Sequence, residues 1–337
     1  MPLAFASLIR EIGRGTHGFR DLSVDDAQAL FAAMLADEVP ALELGAILIA
    51  MRIKGESLAE TTGFMRAVDA HVGRLAPPRD RPRPVVLPSY NGARRQPNLT
   101  ALLALLLKRY GVPVLMHGLS GTDAGADDGA SEQGDDVGAA PDHAFGRVTT
   151  AEILMELGIE PAATLVEAQS RLDYDNIAYV PAGVVAPGLA RLMGHRARLG
   201  VRSSAHSLAK LIDPFGGEGF RVVSVSHPDY LVRMREFLAA THANAMLLRG
   251  TEGEPVANPR RQPQIEMFDS GEASVCAEAE MGTIATLPRL PARIDAPATA
   301  AWIARALSGD EPVPDPLITQ LSCCLEGARR SATRSSA

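Results

Sequence analysis

The clearest indication of the fold class lies in residues 84–118, which read PVVLPSYNGARRQPNLTALLALLLKRYGVPVLMHG. The stretch begins with a short apolar run at residues 85–87, continues through turn-forming residues, and then repeats leucines at helical spacing from Leu99 onward. Gly111 follows the helical run and precedes a second apolar segment at residues 112–116. The pattern predicts a strand, a loop, a helix and a second strand, which together form one βαβ unit of an α/β sheet.

The loop of this unit is predicted to bind anions. Asn98 is placed to cap the following helix, and free backbone N–H groups at a helix start favour negative charge. Residues 89–118 contain no Asp or Glu, yet they include the adjacent pair Arg94 and Arg95. A small phosphate needs glycines and one or two donors at such a loop, so two neighbouring arginines indicate a larger anion.

The charge of the chain is unevenly distributed. The 337 residues are 46% apolar, so the chain can bury the core of one large domain and of a smaller helical domain. The net charge of −7, taken alone, argues against a nucleic-acid partner. Residues 119–148, however, hold seven acids against one base and contribute −6 of that charge. We therefore predict a disordered acidic loop at residues 119–148, with basic patches on the remaining chain.

Cysteine usage and hydropathy indicate the compartment. Cys276, Cys323 and Cys324 are an odd number without CxxC spacing, which predicts neither a disulfide framework nor a cysteine zinc site. No apolar run approaches the roughly 20 residues of a membrane span. The expectation is a soluble cytoplasmic protein with no membrane partner.

The N-terminal 73 residues are predicted to form a helical domain. Ser23 and Ser57 each precede an acid three residues later, which is the pattern of a capping box. Residues 42–52 are apolar almost all round, which predicts the buried central helix of a bundle. Two interpretations of its surface stay open, an ordinary core and a dimer face. Residues 74–84 are proline-rich and mark the domain boundary.

Residues 85–326 are predicted to form an α/β domain. Strands are expected at residues 177–181, 221–225, 245–248 and 284–287, with helices between them. Additional helices from about residue 160 to 200 are assigned to the helical domain, and residues 327–337 to a flexible tail. Alternating strands and helices after a helical start give the fold class α/β with a small helical domain.

Several segments carry a family resemblance. LSVDDAQALFAAML (22–35), ALELGAILIAMRIKGESLAETTGFMRAV (41–68) and VPVLMHG (112–118) are similar to the superfamily of anthranilate phosphoribosyltransferase (glycosyltransferase family 3) and the pyrimidine nucleoside phosphorylases. The resemblance implies a small N-terminal helical domain plus a large α/β domain. It also implies a homodimer formed through the helical domain.

The enzyme motifs of that superfamily are degraded in this chain. The glycine loop of type GTGGDG corresponds to residues 87–92, where only Gly92 survives, and the Asp-Glu pair that holds magnesium corresponds to residues 253–256, which read GEPV. We therefore expect no phosphoribosyltransferase activity, no catalytic residues, no metal and no cofactor. The residual anion site comprises Asn91, Gly92, Asn98, Thr100 and His117.

Other segments resemble a different branch of the same fold. YNGARRQ, NLTALLALLL and SSAHSLAKL are similar to the YbiB-like DNA-binding family, which implies a homodimer that binds DNA or RNA through phosphates without sequence preference. Residues 176–212 contain no acid. The enzymes of the superfamily have a Gly-Pro helix break at the place where this chain has Ala209 and Lys210. The predicted nucleic-acid-binding residues are Arg94, Arg95, Arg196, Arg198, Arg202, Lys210, Arg249, Arg260 and Arg261.

Two other hypotheses stay open at this point. Retention of Asn98, Thr100, His117 and Arg196 supports a transferase that uses phosphoribosyl pyrophosphate with magnesium. The acidic loop could also compete for the basic surface as an internal mimic of nucleic acid.

Overall fold

The computed structural model describes residues 4–15, 18–120, 146–283 and 287–329. The predicted acidic loop lies outside these ranges except at its two ends, and so does most of the predicted strand 284–287. None of the helices in the described part of the chain is long and apolar enough to cross a membrane.

The N-terminal helices form the predicted bundle. They are α1 (Phe5–Ile12), α2 (Val24–Leu35), α3 (Ala41–Lys54) and α4 (Leu58–His71). The Ser23 side chain accepts the N–H of Asp26 at 3.1 Å, and Ser57 forms a complete capping box with Glu60. Both predicted helix starts are therefore confirmed. The rings of Phe31 and Phe64 stack between α2 and α4 with centroids 4.7 Å apart.

Helix α3 differs from its prediction. Leu44, Ile47 and Leu48 are buried, but Leu42 and Ile53 near its ends are 83% and 74% exposed. The prediction of a fully buried central helix was therefore wrong, because only one face of α3 packs on the bundle. The other face leaves large apolar side chains on the surface.

An ion cluster built on the buried side chains of Lys54 and Glu60 joins the end of α3 to the bundle. Lys54 Nζ lies 2.6 Å from Asp21 Oδ1 and 2.6 Å from Glu60 Oε2. The Glu60 carboxylate is fully buried and also accepts the N–H groups of Leu22 and Ser57, both at 2.9 Å. The cluster fixes the start of α4 against the segment that leads into α2.

The α/β part is built on a seven-stranded sheet within the described ranges, in the order β3-β2-β1-β4-β5-β6-β7. The strands are β1 (Val85–Ser89), β2 (Val114–Gly118), β3 (Ile177–Pro181), β4 (Phe220–Val225), β5 (Ala245–Arg249), β6 (Ile265–Asp269) and β7 (Glu272–Ala277). The first five are parallel, and β6 and β7 add an antiparallel edge. The predicted βαβ unit is confirmed, with α5 (Thr100–Arg109) between β1 and β2.

The sheet is covered on both faces. Alternate residues of β1 serve different cores: Val86 packs with the helical bundle, whereas Val85 and Leu87 pack on the opposite side. The opposite side is covered by α5 and by α6 (Thr150–Glu156), α13 (Ala296–Ser308) and α14 (Asp315–Arg329). Helices α7 (Leu165–Asp175), α8 (Ala182–Val185) and α9 (Pro187–Gly194) pack on the same side of the sheet as the bundle.

The C-terminal region differs from the sequence predictions in two respects. Cys276 of β7 and Cys323 of α14 form a disulfide, with Cα atoms 6.4 Å apart, although the spacing of the cysteines predicted none. A separation of 47 residues carries no recognisable pattern, and only the packing of α14 on the sheet brings the two thiols together. Helix α14 also continues past the predicted start of the tail, because the absence of a side chain at Gly327 lets it approach the ring of Phe220.

Candidate functional site

Strands β1 and β4 form the crevice where this kind of sheet binds ligands. The chain runs outward from β1 to β2 and β3, and then returns to the other side of β1 with β4. Ligands of open α/β sheets bind at such a reversal, outside the carboxyl ends of the strands. The two strands pair only at their amino ends, through Val85 with Phe220 and Val86 with Arg221. A gap therefore opens between their carboxyl ends.

The chain fills this gap with its own segment, residues 251–254, which follows β5. Ser224 Oγ donates to the Gly253 carbonyl at 2.6 Å, and Lys210 Nζ donates to the same carbonyl at 3.1 Å. Gly253 has φ +84°, and a Cβ atom there would collide with the side-chain amide of Asn91. We name residues 251–254 the plug segment.

The carboxylate of Glu254 occupies the loop that follows β1. It is fully buried, and its Oε1 accepts the backbone N–H groups of Asn91 at 2.8 Å and Gly92 at 2.9 Å. Its Oε2 accepts the hydroxyl of Ser89 and lies 3.3 Å from Thr150 Oγ1. Amide donors of this kind bind phosphate in related loops, but here an internal carboxylate already uses them.

Glu252 performs the same task one step further along the loop. Its carboxylate accepts the backbone N–H groups of Arg94 at 3.2 Å, Arg95 at 2.8 Å and Gln96 at 3.0 Å. Its Oε2 also lies 3.6 Å from Arg147 Nη1. Glu252 holds the positive φ of +51°, which is uncommon for a residue with a side chain. Together the two carboxylates satisfy five consecutive or nearly consecutive amides of the loop.

The predicted residual anion site surrounds Glu254. Asn91 and Gly92 donate to it directly, and Asn98 connects to it through Thr150, whose Oγ1 lies 3.0 Å from Asn98 Nδ2. Asn98 Oδ1 accepts the N–H of Thr100 at 3.1 Å, but the N-cap residue of α5 is Leu99, one residue after the predicted cap. The structure therefore brings these four predicted residues together, around a carboxylate that belongs to the chain.

His117, the fifth predicted member, lies in the core below the loop. Its Nδ1 is 2.8 Å from Tyr90 Oη, and both side chains are buried. Burial lowers the pKa of His117 to about 3, with the backbone of Ile212 acting in the opposite direction. Burial also raises the pKa of the Tyr90 hydroxyl. The two rings form a neutral, hydrogen-bonded pair that supports the loop from beneath.

A group of cations lies beside the plug segment. After α9 the chain turns at His195 into α10 (Arg196–Leu199), and α11 (Ser204–Leu208) continues as a short 3-10 helix, Ala209–Leu211. Burial lowers the pKa of His206 to about 3, and the charges of Arg202, Arg196 and Lys210 lower it further. These three predicted cations are therefore close enough to His206 for their charges to act on its pKa. Arg202 Nη1 reaches Asn91 Oδ1 at 3.4 Å.

The other predicted cations are exposed. They are Arg94, Arg95, Arg198, Arg249, Arg260 and Arg261. Arg249 ends β5 beside the plug segment, and the bridge between Gly250 and Ala257 returns the chain toward Arg260. Among the described residues, no hydrogen bond or ion pair engages the guanidinium groups of Arg94 and Arg95. Their backbones are fixed by Glu252 while their side chains face solvent.

Glu252 and Glu254 are site residues that the sequence did not predict. The resemblance to the transferases matches residues 253–256 to their magnesium-binding Asp-Glu pair and assigns no role to Glu254. Instead, it points into the loop after β1, and the described residues contain no cluster of His, Cys, Asp or Glu that could hold a metal ion. The sequence does contain one signal for these acceptors, which is the absence of acids from residues 89–118. Loop amides that lack a local acceptor need one from elsewhere in the chain.

Comparisons with known proteins agree with this architecture. Residues 6–72 match the helical bundle domain of the glycosyl transferase family. Anthranilate phosphoribosyltransferase of Thermus thermophilus has the same fold, with a TM-score of 0.69 at 20% identity over 98% of this chain and 90% of that chain. Anthranilate phosphoribosyltransferase of Desulfitobacterium hafniense is 24% identical over 71% of this chain and 64% of its own length.

A more similar relative spans nearly the whole molecule. The uncharacterized protein YbiB of Escherichia coli is 43% identical over 330 residues, which cover 98% of this chain and 96% of YbiB. Identity at this level over the full length shows common family membership, whereas the likeness to the transferase structures shows the fold. The chain thus belongs to the family of Escherichia coli YbiB, built on the anthranilate phosphoribosyltransferase fold.

Proposed function

We propose that this protein binds nucleic acid, DNA or RNA, through its phosphates and without sequence preference. The proposal depends on which groups of the crevice between β1 and β4 are already hydrogen-bonded and which are exposed. The plug segment satisfies the amides that would otherwise cradle a small phosphate, while arginine side chains point outward from the same loop. A site with its small-anion donors occupied and its guanidinium groups exposed is suited to an extended polyanion.

The order of the strands in the sheet supports a continuous basic surface. The loop after β1, the turn after β5 and the segment around Arg202 all lie at the carboxyl edge of the parallel strands. Cations spread along one edge neutralise successive phosphates, and each contact releases condensed counterions. Base recognition plays little part in the proposal, since aromatic residues make up only 4% of the chain.

We further propose that the protein acts as a homodimer through its helical domain. Leu42 and Ile53 expose large apolar side chains on α3, and packing of this helix against a second copy of the chain would remove both from water. A two-fold axis through this helix would present each basic surface twice and extend the track available to one polymer.

Fluorescence anisotropy with labelled DNA and RNA, single-stranded and double-stranded, of several unrelated sequences tests the proposal. We expect affinities that agree across sequences and fall as salt rises, with a log-log slope of about 0.9 per phosphate contacted. The variant R94A/R95A is expected to lower the affinity and to reduce the slope by about two. The control R14A/R20A removes two arginines beside Glu11 in the helical domain and should leave binding unchanged.

Two results would overturn the proposal. One is the absence of salt-sensitive binding to any of these polymers at low ionic strength. The other is equal binding by R94A/R95A and the wild type. Calorimetry with phosphoribosyl pyrophosphate and magnesium provides the competing arm, because tight binding there would mean that the plug segment yields to a small diphosphate and would favour a transferase.

A further inference from the structure

A second cleft lies at the opposite, amino edge of the parallel strands. Its volume is about 350 Å³, which falls within the range of small-molecule sites. Its walls include Met65, Arg66 and Asp69 of α4 in the helical bundle, and Arg221 of β4. The cleft therefore sits at the junction of the bundle and the sheet, a common location for ligand sites.

The floor of the cleft is rigid. The Asp213 carboxylate accepts the N–H groups of Phe215 at 2.9 Å, Gly217 at 2.9 Å and Gly219 at 3.1 Å. Arg74 donates to the backbone carbonyls of Asp213 and Asp69 at 3.2 and 2.7 Å. Asp213 and Arg74 are thus committed to holding the loop before β4 against the end of α4.

Two charged side chains of the cleft, Asp69 and Arg221, have polar atoms without a hydrogen-bond partner among the described residues. Among the described residues, no hydrogen bond reaches the carboxylate of Asp69. Arg221 donates Nη1 to the Leu211 carbonyl at 2.9 Å, but its Nε is buried without a partner. Arg66 at the rim is 57% exposed and lies 4.0 Å from Asp25. Buried or half-buried groups of this kind are normally satisfied, by protein or by a ligand.

We propose that this cleft binds a small zwitterion of the α-amino-acid class. The ammonium group would pair with Asp69, and the carboxylate would meet the guanidinium groups of Arg221 and Arg66. An apolar side chain would pack on Met65 and Phe237, which supply the nonpolar part of the wall. Both signs of charge within one cleft disfavour a simple anion, which Asp69 repels, and a metal cation, which three arginines repel.

The condition of Asp69 supports the proposal independently. Burial raises the pKa of this carboxyl group, and it outweighs the lowering by Arg221 and Arg74. A carboxylate that burial makes costly to ionise gains stability from a paired ammonium group. The site is also separate from the proposed nucleic-acid surface, because the two lie at opposite edges of the same strands.

Thermal shift measurements on the full chain with each of the twenty proteinogenic L-amino acids test the proposal, followed by calorimetry on those that stabilise the protein. We expect at least one amino acid to raise Tm, and its Kd to rise at least tenfold in D69N and in R66A. The N-acetylated and amidated forms of the same amino acid, which lack the ammonium and the carboxylate respectively, should lose binding to a similar extent.

The variant D69N is expected to fold, since it replaces a desolvated carboxyl group by a neutral one of the same shape. D229N is the matched control: Asp229 lies at the far end of α12 (Pro228–Ala240), whose last turn lines the cleft, and its side chain is 82% exposed. The proposal is overturned if none of the twenty amino acids shifts Tm. It is equally overturned if D69N binds as the wild type does, or if acetate or inorganic phosphate alone binds as well as the amino acid.

Discussion

The buried carboxylate of Glu254 provides the most direct test of the idea that the chain fills its own phosphate loop. The change E254A leaves the backbone N–H groups of Asn91 and Gly92 without an acceptor in a fully buried position. The hydroxyl groups of Ser89 and Thr150 still hydrogen-bond to each other, because their oxygens are 2.8 Å apart. The main cost of the change is therefore the loss of the hydrogen bonds that the two buried amides donate to Glu254.

Each buried amide that loses its acceptor costs about 1–3 kcal/mol, so that E254A should lower the free energy of unfolding by about 2–6 kcal/mol. This is a large fraction of the about 5–15 kcal/mol that stabilises a typical domain. E254Q retains an oxygen for the two amides and an N–H pair for the hydroxyls, so its loss should be clearly smaller. Urea denaturation followed by circular dichroism measures both values.

An added anion should restore part of the loss. Formate or inorganic phosphate is expected to enter the vacated loop of E254A and to stabilise it by about 2.7 kcal/mol at a concentration of 100 times Kd. The wild type, whose loop is occupied, should respond no more than it does to chloride at the same ionic strength. If E254A is as stable as the wild type, if E254Q loses as much as E254A, or if formate stabilises both proteins equally, the reasoning fails.

Three further predictions concern other parts of the chain. The change K54M should destabilise the protein by about 3–5 kcal/mol in urea, because the fully buried Glu60 then lacks its cation, and the double change K54M/E60Q should recover much of that loss. Burial lowers the pKa of His117 to about 3 in the folded protein, so its contribution to stability is complete above pH 6.5 and declines by about 1.4 kcal/mol for each pH unit between pH 6.5 and 3. The variant H117N should reduce the slope of the free energy of unfolding against pH over this range, and an unchanged slope would contradict the assignment. Thiol titration of the unreduced, denatured protein should detect one cysteine of the three, since Cys276 and Cys323 are bonded to each other; reduction should expose all three and lower the free energy of unfolding by up to about 4 kcal/mol for a loop of this length.

Some features of the site were predictable because their signals are local. The spacing of leucines after Asn98 gave α5, the turn residues gave the loop, and the arginine pair at positions 94 and 95 marked its outward face. Ser23 and Ser57 gave two helix starts for the same reason, since a cap and its acid lie within one turn. Each of these patterns is complete within about ten residues.

Other features depend on partners far apart in the chain. The acceptors for the loop amides, Glu252 and Glu254, follow the loop by more than 150 residues, and the partner of Cys276 lies 47 residues away. In the sequence, Glu254 is only one residue of a segment that lacks the metal-binding acid pair of the transferases. Its position beside Asn91 follows only from the order of β1, β4 and β5 in the sheet.

The helical bundle, the βαβ unit and the acid-free, arginine-bearing loop are all legible in the amino-acid order, because hydrophobic periodicity and capping act over short distances. The residues that fill that loop are set by the packing of the strands. Strands β1 and β4 diverge at their carboxyl ends, and the gap between them admits a turn from β5 whose two carboxylates satisfy the loop amides. Buried amides must find acceptors somewhere, and the order of the strands determines which residues supply them.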